Sequence, residues 1–166
     1  LMPFWAKETA FSHHTFNARM ESLDEKPAFR AAFKSRHAAI PMAGYYEWKP
    51  TAGGKQPYYL RPEYPHEVLW VAGLWEPKHP LLTDGSEGSF TIITQAAEGI
   101  PAEVHSRMPV FLEKREVDSW LGLGLGPSKP FLLTRSLPAL KCFPVAKRVN
   151  KGVDDDAGLI EPIPPV

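Results

Sequence analysis

The sequence predicts an α+β fold, a single domain with a mainly antiparallel, β-barrel-like core and a few short helices. Three observations predict it. Segments rich in β-branched and aromatic residues outnumber those with helical periodicity. They follow one another directly instead of alternating with helices, which argues against a parallel βαβ sheet. Eighteen prolines among 166 residues interrupt the chain too often for long helices.

Residues 1–23 read as irregular. A helix is expected over Asp24–Arg36: Asp24 can cap it, Pro27 falls in its first turn, and Phe29, Ala32 and Phe33 lie at i, i+3 and i+4. Ala38–Trp48 reads as a strand bent at Pro41 and Gly44, with Tyr45 and Glu47 on one face and Tyr46 and Trp48 on the other. Thr51-Ala52-Gly53-Gly54-Lys55 is a hairpin turn, and the return strand is expected over Pro57–Arg61, with Pro57 at its start or on an edge. Val68–Trp75 and Phe90–Gln95 are further strands. Glu98–Val104 suits a helical turn, and Met108–Leu112 a short strand. Glu113–Leu121 reads as a second helix with Val117, Trp120 and Leu121 inward. Gly122–Pro130 is expected to be a loop, Ala139–Val145 the last strand, and 161–166 a Pro-rich tail after a domain spanning 1–160.

Composition narrows the function classes. Nineteen Lys and Arg balance nineteen Asp and Glu, so any nucleic-acid site is a local groove and not a global basic field. No apolar run approaches the roughly 18 residues that span a membrane, and no leader pattern is visible. The lone cysteine, Cys142, excludes an internal disulfide and a cysteine-based zinc cluster, and it reads as a structural thiol. A reducing cytoplasm is the expected compartment. The histidines lack metal-ligand spacing, and neither a glycine-rich nucleotide loop nor a serine-hydrolase elbow occurs, so no metal and no cofactor is expected. Asp154-Asp155-Asp156 reads as a solvated turn.

Three places carry candidate chemistry. Glu47 lies among Tyr45, Tyr46 and Trp48, an aromatic setting that raises a carboxylate pKa and suits it to proton transfer; the plain alternative is an outward-facing edge-strand Glu. His105 stands two residues before Arg107 and could polarise an anionic or carbonyl substrate, or simply be a surface residue before a strand. Asn17 and Arg19, two apart, share a face of an extended segment and could hold a phosphate with a neighbouring oxygen, or be a turn Asn and a solvated Arg.

Five motifs occur in order: Asn17-Ala-Arg19-x-Glu21, Pro41-x-Ala-Gly44-Tyr-Tyr46-Glu47-Trp48, Ala72-Gly-Leu-Trp75-Glu76, Phe90-Thr-Ile-Ile-Thr94 and His105-x-Arg107-Met-Pro109. Together they resemble the SRAP family, the SOS response-associated peptidases, from Leu1 to about Ile160. The resemblance implies a DNA-damage-response protein that binds single-stranded DNA and crosslinks to abasic sites, with self-processing of a peptidase type and lyase-like chemistry, in the bacterial cytoplasm or nucleoid. It implies a nucleophilic cysteine at residue one whose amine and thiol close a thiazolidine on the sugar aldehyde. By motif match Asn17, Glu47 and His105 are the catalytic residues, expected in one cleft, and Arg19, Arg107, Trp5, Trp48 and Thr94 are the DNA contacts. The family's Met-Cys-Gly-Arg segment has no counterpart in these 166 residues, which open within its Trp-Gly-Leu-x-Pro-x-Trp motif as Leu1-Met2-Pro3-Phe4-Trp5. Cys142 does not match the nucleophile, so the polypeptide as written is expected to form no adduct. A non-catalytic single-stranded-DNA-binding module is the alternative, and a thiol peptidase acting on proteins would need a cysteine near His105.

Overall fold

The structure is a computed structural model that describes residues 1–122 and 128–164. Its strands are β1 (Asn17–Arg19), β2 (His37–Met42), β3 (Tyr45–Thr51), β4 (Gly54–Pro62), β5 (Leu69–Pro77), β6 (Gly88–Ala96), β7 (Arg107–Pro109), β8 (Phe111–Leu112) and β9 (Leu140–Pro144). Its helices are α1 (Arg30–Ser35), α2 (Gly99–Ala102), α3 (Val117–Gly122) and α4 (Ser128–Leu133). The α+β class holds, but the strands form two sheets and not one closed barrel. The chain divides into two compact units: unit 1 is Leu1–Pro41, Trp70–Gln95 and Pro109–Ser136, and unit 2 is Met42–Leu69, Ala96–Met108 and Leu137–Val166.

Unit 1 is built on strands ordered β1-β6-β5-β2, with β8 antiparallel to β5. β5 and β6 are antiparallel neighbours, whereas β1 runs parallel to β6. The sheet buries Ala18, Ala72, Leu74 and Ile93 against Leu23, Ala32 and Phe33 of the α1 region and Trp120 and Leu132 of the later helices. Trp120 is fully buried, donates its indole Nε1 to the Ala38 carbonyl at 2.8 Å and stacks on His37 with ring centroids 4.1 Å apart. Glu76 is buried beside the core and is held by the Arg36 guanidinium at 2.6 Å.

Several local expectations change here. β1 lies within the stretch read as irregular, because three residues carry too little alternation to announce a strand. The first helix begins at Arg30, not Asp24: a residue before proline resists the helical conformation, which stops Lys26 from propagating it. Asp24 instead accepts from Lys129 Nζ at 2.8 Å. In α3, Trp120 and Val117 face the core, but Leu121 is exposed. A helix, α4, starts inside the expected Gly122–Pro130 loop, with Pro130 in its first turn where no amide donor is required. The Leu123–Pro127 part of that loop lies outside the described residues.

Unit 2 holds the antiparallel sheet β3-β4-β9. β3 and β4 form a hairpin in register from Tyr45↔Leu60 to Thr51↔Gly54, and Gly54 takes φ 100°, which a side chain would resist. The strand expected over Ala38–Trp48 splits into β2 and β3 between the two sheets. Gly44 stands at the break, where a Cβ would meet the Leu60 carbonyl at 2.6 Å and collide with the Tyr59 ring. Pro57 is neither at the start of its strand nor on an edge: it lies inside central β4. Its missing donor points beyond the end of the β9 ladder, where its carbonyl accepts from Val145 N at 3.0 Å. Buried Gln56 braces the same place by donating to the Val145 carbonyl at 2.8 Å. In the Pro-rich tail, Pro162 bridges to Val145 and Ile163 N donates to the Pro144 carbonyl at 3.0 Å; residues 165–166 are not described.

Candidate functional site

In unit 2 the alternation of β3 places Tyr45, Glu47 and Lys49 on one face, together with Tyr58 of β4 and Cys142 of β9 through the strand register. The opposite face carries Tyr46, Trp48, Tyr59 and Phe143, with Tyr46–Tyr59 centroids 5.1 Å apart. His105 reaches the Glu47 face from the turn after α2. That turn is closed by His105 N donating to the Pro101 carbonyl at 3.0 Å and by Ala97 N donating to the Ser106 carbonyl at 3.0 Å.

The Glu47 Oε2 to His105 Nδ1 distance is 3.7 Å, and the two side chains are 24% and 42% exposed. This is partial burial with an open side, which suits proton exchange with a ligand. The same Nδ1 lies 3.2 Å from both the main-chain N–H and the carbonyl oxygen of Arg107, so it accepts from the first or donates to the second according to the tautomer. Burial pushes the Glu47 carboxyl above its ordinary range, while His105 and the Trp48 main-chain N–H partly oppose the rise. Burial, with the Glu47 charge second, also raises the Tyr45 phenol. The Cys142 thiol is pushed up to about 11, chiefly by burial and next by Glu103, so it is not an activated nucleophile.

In unit 1, β1 and β6 pair Asn17 with Ile92 and Arg19 with Thr94. Asn17 and Arg19 are exposed on one face while Ala18 between them is buried, the alternation expected of an extended segment. Trp5 is 40% exposed and stands edge-on to Phe11, with centroids 5.0 Å apart. Among the described residues there is no group of three or more His, Cys, Asp or Glu that could hold a metal ion, and no helix long and apolar enough to cross a membrane.

A family model of the SOS response-associated peptidases (SRAP) matches residues 1–152. The chain belongs to this family. It is 31% identical to the abasic site processing protein YoaM of Bacillus subtilis, over 97% of this chain and 72% of YoaM. It is 28% identical to the abasic site processing protein HMCES of Gallus gallus, over 98% of this chain and 55% of HMCES. The chain thus spans little more than half of that longer relative. The fold is that of a Bacteroides thetaiotaomicron crystal structure with TM-score 0.82 at 24% identity, covering 98% of this chain and 74% of that one. The crystal structure of a phage-related protein from Bordetella bronchiseptica is similar at TM-score 0.64 and 27% identity, over 80% of this chain and 64% of that one.

Of the residues singled out in this SRAP chain, Glu47 and His105 are brought together, with Arg107 beside His105. Asn17, Arg19 and Thr94 share paired strands of unit 1, although Thr94 is nearly buried. Trp48 lies on the face of β3 opposite Glu47, next to Tyr46. Tyr45 flanks Glu47 on the same face, as strand alternation predicts. Sequence reasoning passed over two features. Trp75 and Phe90 form an exposed cross-strand pair in unit 1, visible only once β5 and β6 are in register. Asn150 accepts from the Trp48 indole across 102 residues, a pairing without local signal.

Proposed function

We propose that this SRAP chain is the body of an abasic-site processing protein that acts on single-stranded DNA and forms a covalent adduct with the opened sugar. The observation that carries the reading is the half-buried Glu47 at 3.7 Å from His105, within a family whose curated relatives are named abasic site processing proteins.

An abasic sugar rests mostly as a closed hemiacetal, and opening it moves a proton from the anomeric hydroxyl to the ring oxygen. A carboxyl with a raised pKa can take and return that proton. His105, 3.7 Å from Glu47, serves as the partner in proton transfer during ring opening and adduct reversal. Asn17 orients the reacting groups by hydrogen bonds, and Arg19 and Arg107 hold phosphates as charge-assisted donors. Trp5, Trp48 and Thr94 add DNA contacts. The α-amine of a residue-one cysteine in the full-length protein condenses with the aldehyde, releasing water. Its thiolate then adds to the imine carbon and closes the thiazolidine.

The test is a denaturing gel with abasic single-stranded oligonucleotide. A polypeptide carrying the family's upstream segment, with cysteine first, should yield a stable crosslink. The 166-residue polypeptide beginning at Leu1 should yield none, because an amine without a neighbouring thiol gives only a reversible imine. A stable adduct from the latter would show the nucleophile to be misassigned. Reversible binding without adduct from the longer polypeptide would instead favour a non-catalytic single-stranded-DNA-binding module.

A further inference from the structure

Unit 2 carries two further sets of charged side chains outside the Glu47–His105 pair. The first is closed on itself. The Arg148 guanidinium donates to both Asp156 carboxylate oxygens, at 2.7 and 2.5 Å, and lies 3.5 Å from Asp154. Asp154-Asp155-Asp156 is therefore no simple solvated turn: two of its carboxylates clamp an arginine, whose charge is neutralised within the fold. The second is Lys49. It lies two residues beyond Glu47 in β3, so the pleat puts both on one face, about 6.7 Å apart along the strand. Tyr58 of β4 stands directly opposite Glu47 in the register. The Lys49 Nζ lies 5.9 Å from the centroid of the Tyr58 ring, so the side chain leans toward the Glu47 row and a cation–π contact holds it there. Lys49 is half-covered, and among the described residues its ammonium forms no ion pair.

An abasic nucleotide offers no base to stack on or to read by hydrogen bonds. Its only handles are the sugar and the two phosphates that flank it. With the sugar on the Glu47–His105 pair, the groups that hold the lesion in place must be cations one sugar-to-phosphate step away. Each member of the pair has such a cation two residues along its own segment: Arg107 after His105, and Lys49 after Glu47. An ammonium is a compact point charge suited to a phosphate oxygen, and one not neutralised by a carboxylate keeps its attraction for it. We propose that Lys49, seated over Tyr58, binds a phosphate directly adjoining the abasic sugar, so that the lesion is held by both of its phosphates, through Arg107 and Lys49. The inference rests on the abasic-site reading, but binding alone tests it, without the covalent step.

The experiment is fluorescence anisotropy of the 166-residue chain with a single-stranded oligonucleotide carrying one central tetrahydrofuran, an abasic analogue that cannot open and so forms no adduct. Wild type is compared with Lys49→Met, which keeps the stem over Tyr58 without the charge, and with Lys49→Arg. Lys49→Met should weaken binding about fivefold at low salt and flatten the log–log salt slope by about 0.7, and Lys49→Arg should restore both. The oligonucleotide is then made with a single methylphosphonate, an uncharged linkage, on the 5′ side of the tetrahydrofuran, on its 3′ side, or several nucleotides away. At one of the two flanking positions the uncharged linkage should weaken wild type about fivefold and Lys49→Met hardly at all, because the same contact is already gone. At the distant position both proteins should respond alike. Unchanged binding by Lys49→Met, or a Lys49→Met loss that is the same whichever phosphate is neutralised, would overturn the proposal. An absence of salt-dependent binding by wild type would overturn it together with the abasic-site reading. If Glu47→Gln leaves adduct formation by the crosslinking polypeptide unchanged, the relay fails while the Lys49 contact still stands on its binding.

Discussion

Unit 1 buries Trp120, Leu132 and Ile93 completely and turns Asn17 and Arg19 outward from a short edge strand. Unit 2 has a thinner sheet and leaves an acid, an imidazole and a phenol half-covered. The difference teaches what partial burial is for. A fully exposed Glu47 would titrate as an ordinary carboxylate, and a fully buried one would resist ionisation at too great a cost. Unit 2 holds it between these limits, where burial lifts the pKa and His105 keeps the charged form accessible.

The largest effect expected from breaking this contrast is chemical. Glu47→Gln keeps shape and hydrogen bonding but cannot relay a proton. Adduct formation by the crosslinking polypeptide should slow by about 10²- to 10⁴-fold in a gel time course, with DNA affinity retained. A change under about threefold would move the acid–base role to another residue.

The largest effect on stability should lie in unit 1. Trp120→Ala removes a fully buried ring, its bond to Ala38 and its stack on His37, and should cost about 3–5 kcal/mol in urea unfolding. The same measurement on Trp48→Phe in unit 2 should show a much smaller loss, since that ring is only partly buried and keeps most of its area.

A third prediction sharpens the contrast through pH. The folded-state pKa of Glu47 is raised above its ordinary 4.5, so the folded chain holds this proton to higher pH than the unfolded chain does. The associated stability is complete below the unfolded value and is lost as pH rises through the folded value. Glu47→Gln cannot lose it. The thermal midpoint of the variant, relative to wild type, should therefore rise across that window, and a falling difference would reverse the assignment of burial as the dominant cause.

The smallest expected effect concerns DNA. For single strands the log–log slope of affinity against salt is about −0.7 per phosphate neutralised. Arg19→Ala and Arg107→Ala should each flatten the slope by about that amount in fluorescence anisotropy. Equal effects would assign one phosphate to each unit; an effect from only one arginine would confine the phosphate contacts to its unit.

The sequence by itself determined the α+β class, the hairpin at Ala52-Gly53, the alternation that puts Tyr45 with Glu47 and Tyr46 with Trp48, and, through five ordered motifs, the family. These are local properties: strand period, turn chemistry and short motif spacing are written in neighbouring residues. Tertiary structure alone decided the rest. The break at Gly44 depends on the approach of Tyr59 and Leu60, the tolerance of Pro57 inside a central strand depends on where β9 ends, and β1 exists only because β6 offers it a partner. The 3.7 Å between Glu47 and His105, and the bond from Trp48 to Asn150, join residues 58 and 102 positions apart. No local pattern encodes such a separation; it is set by the closure of loops whose energetics depend on everything they pack against.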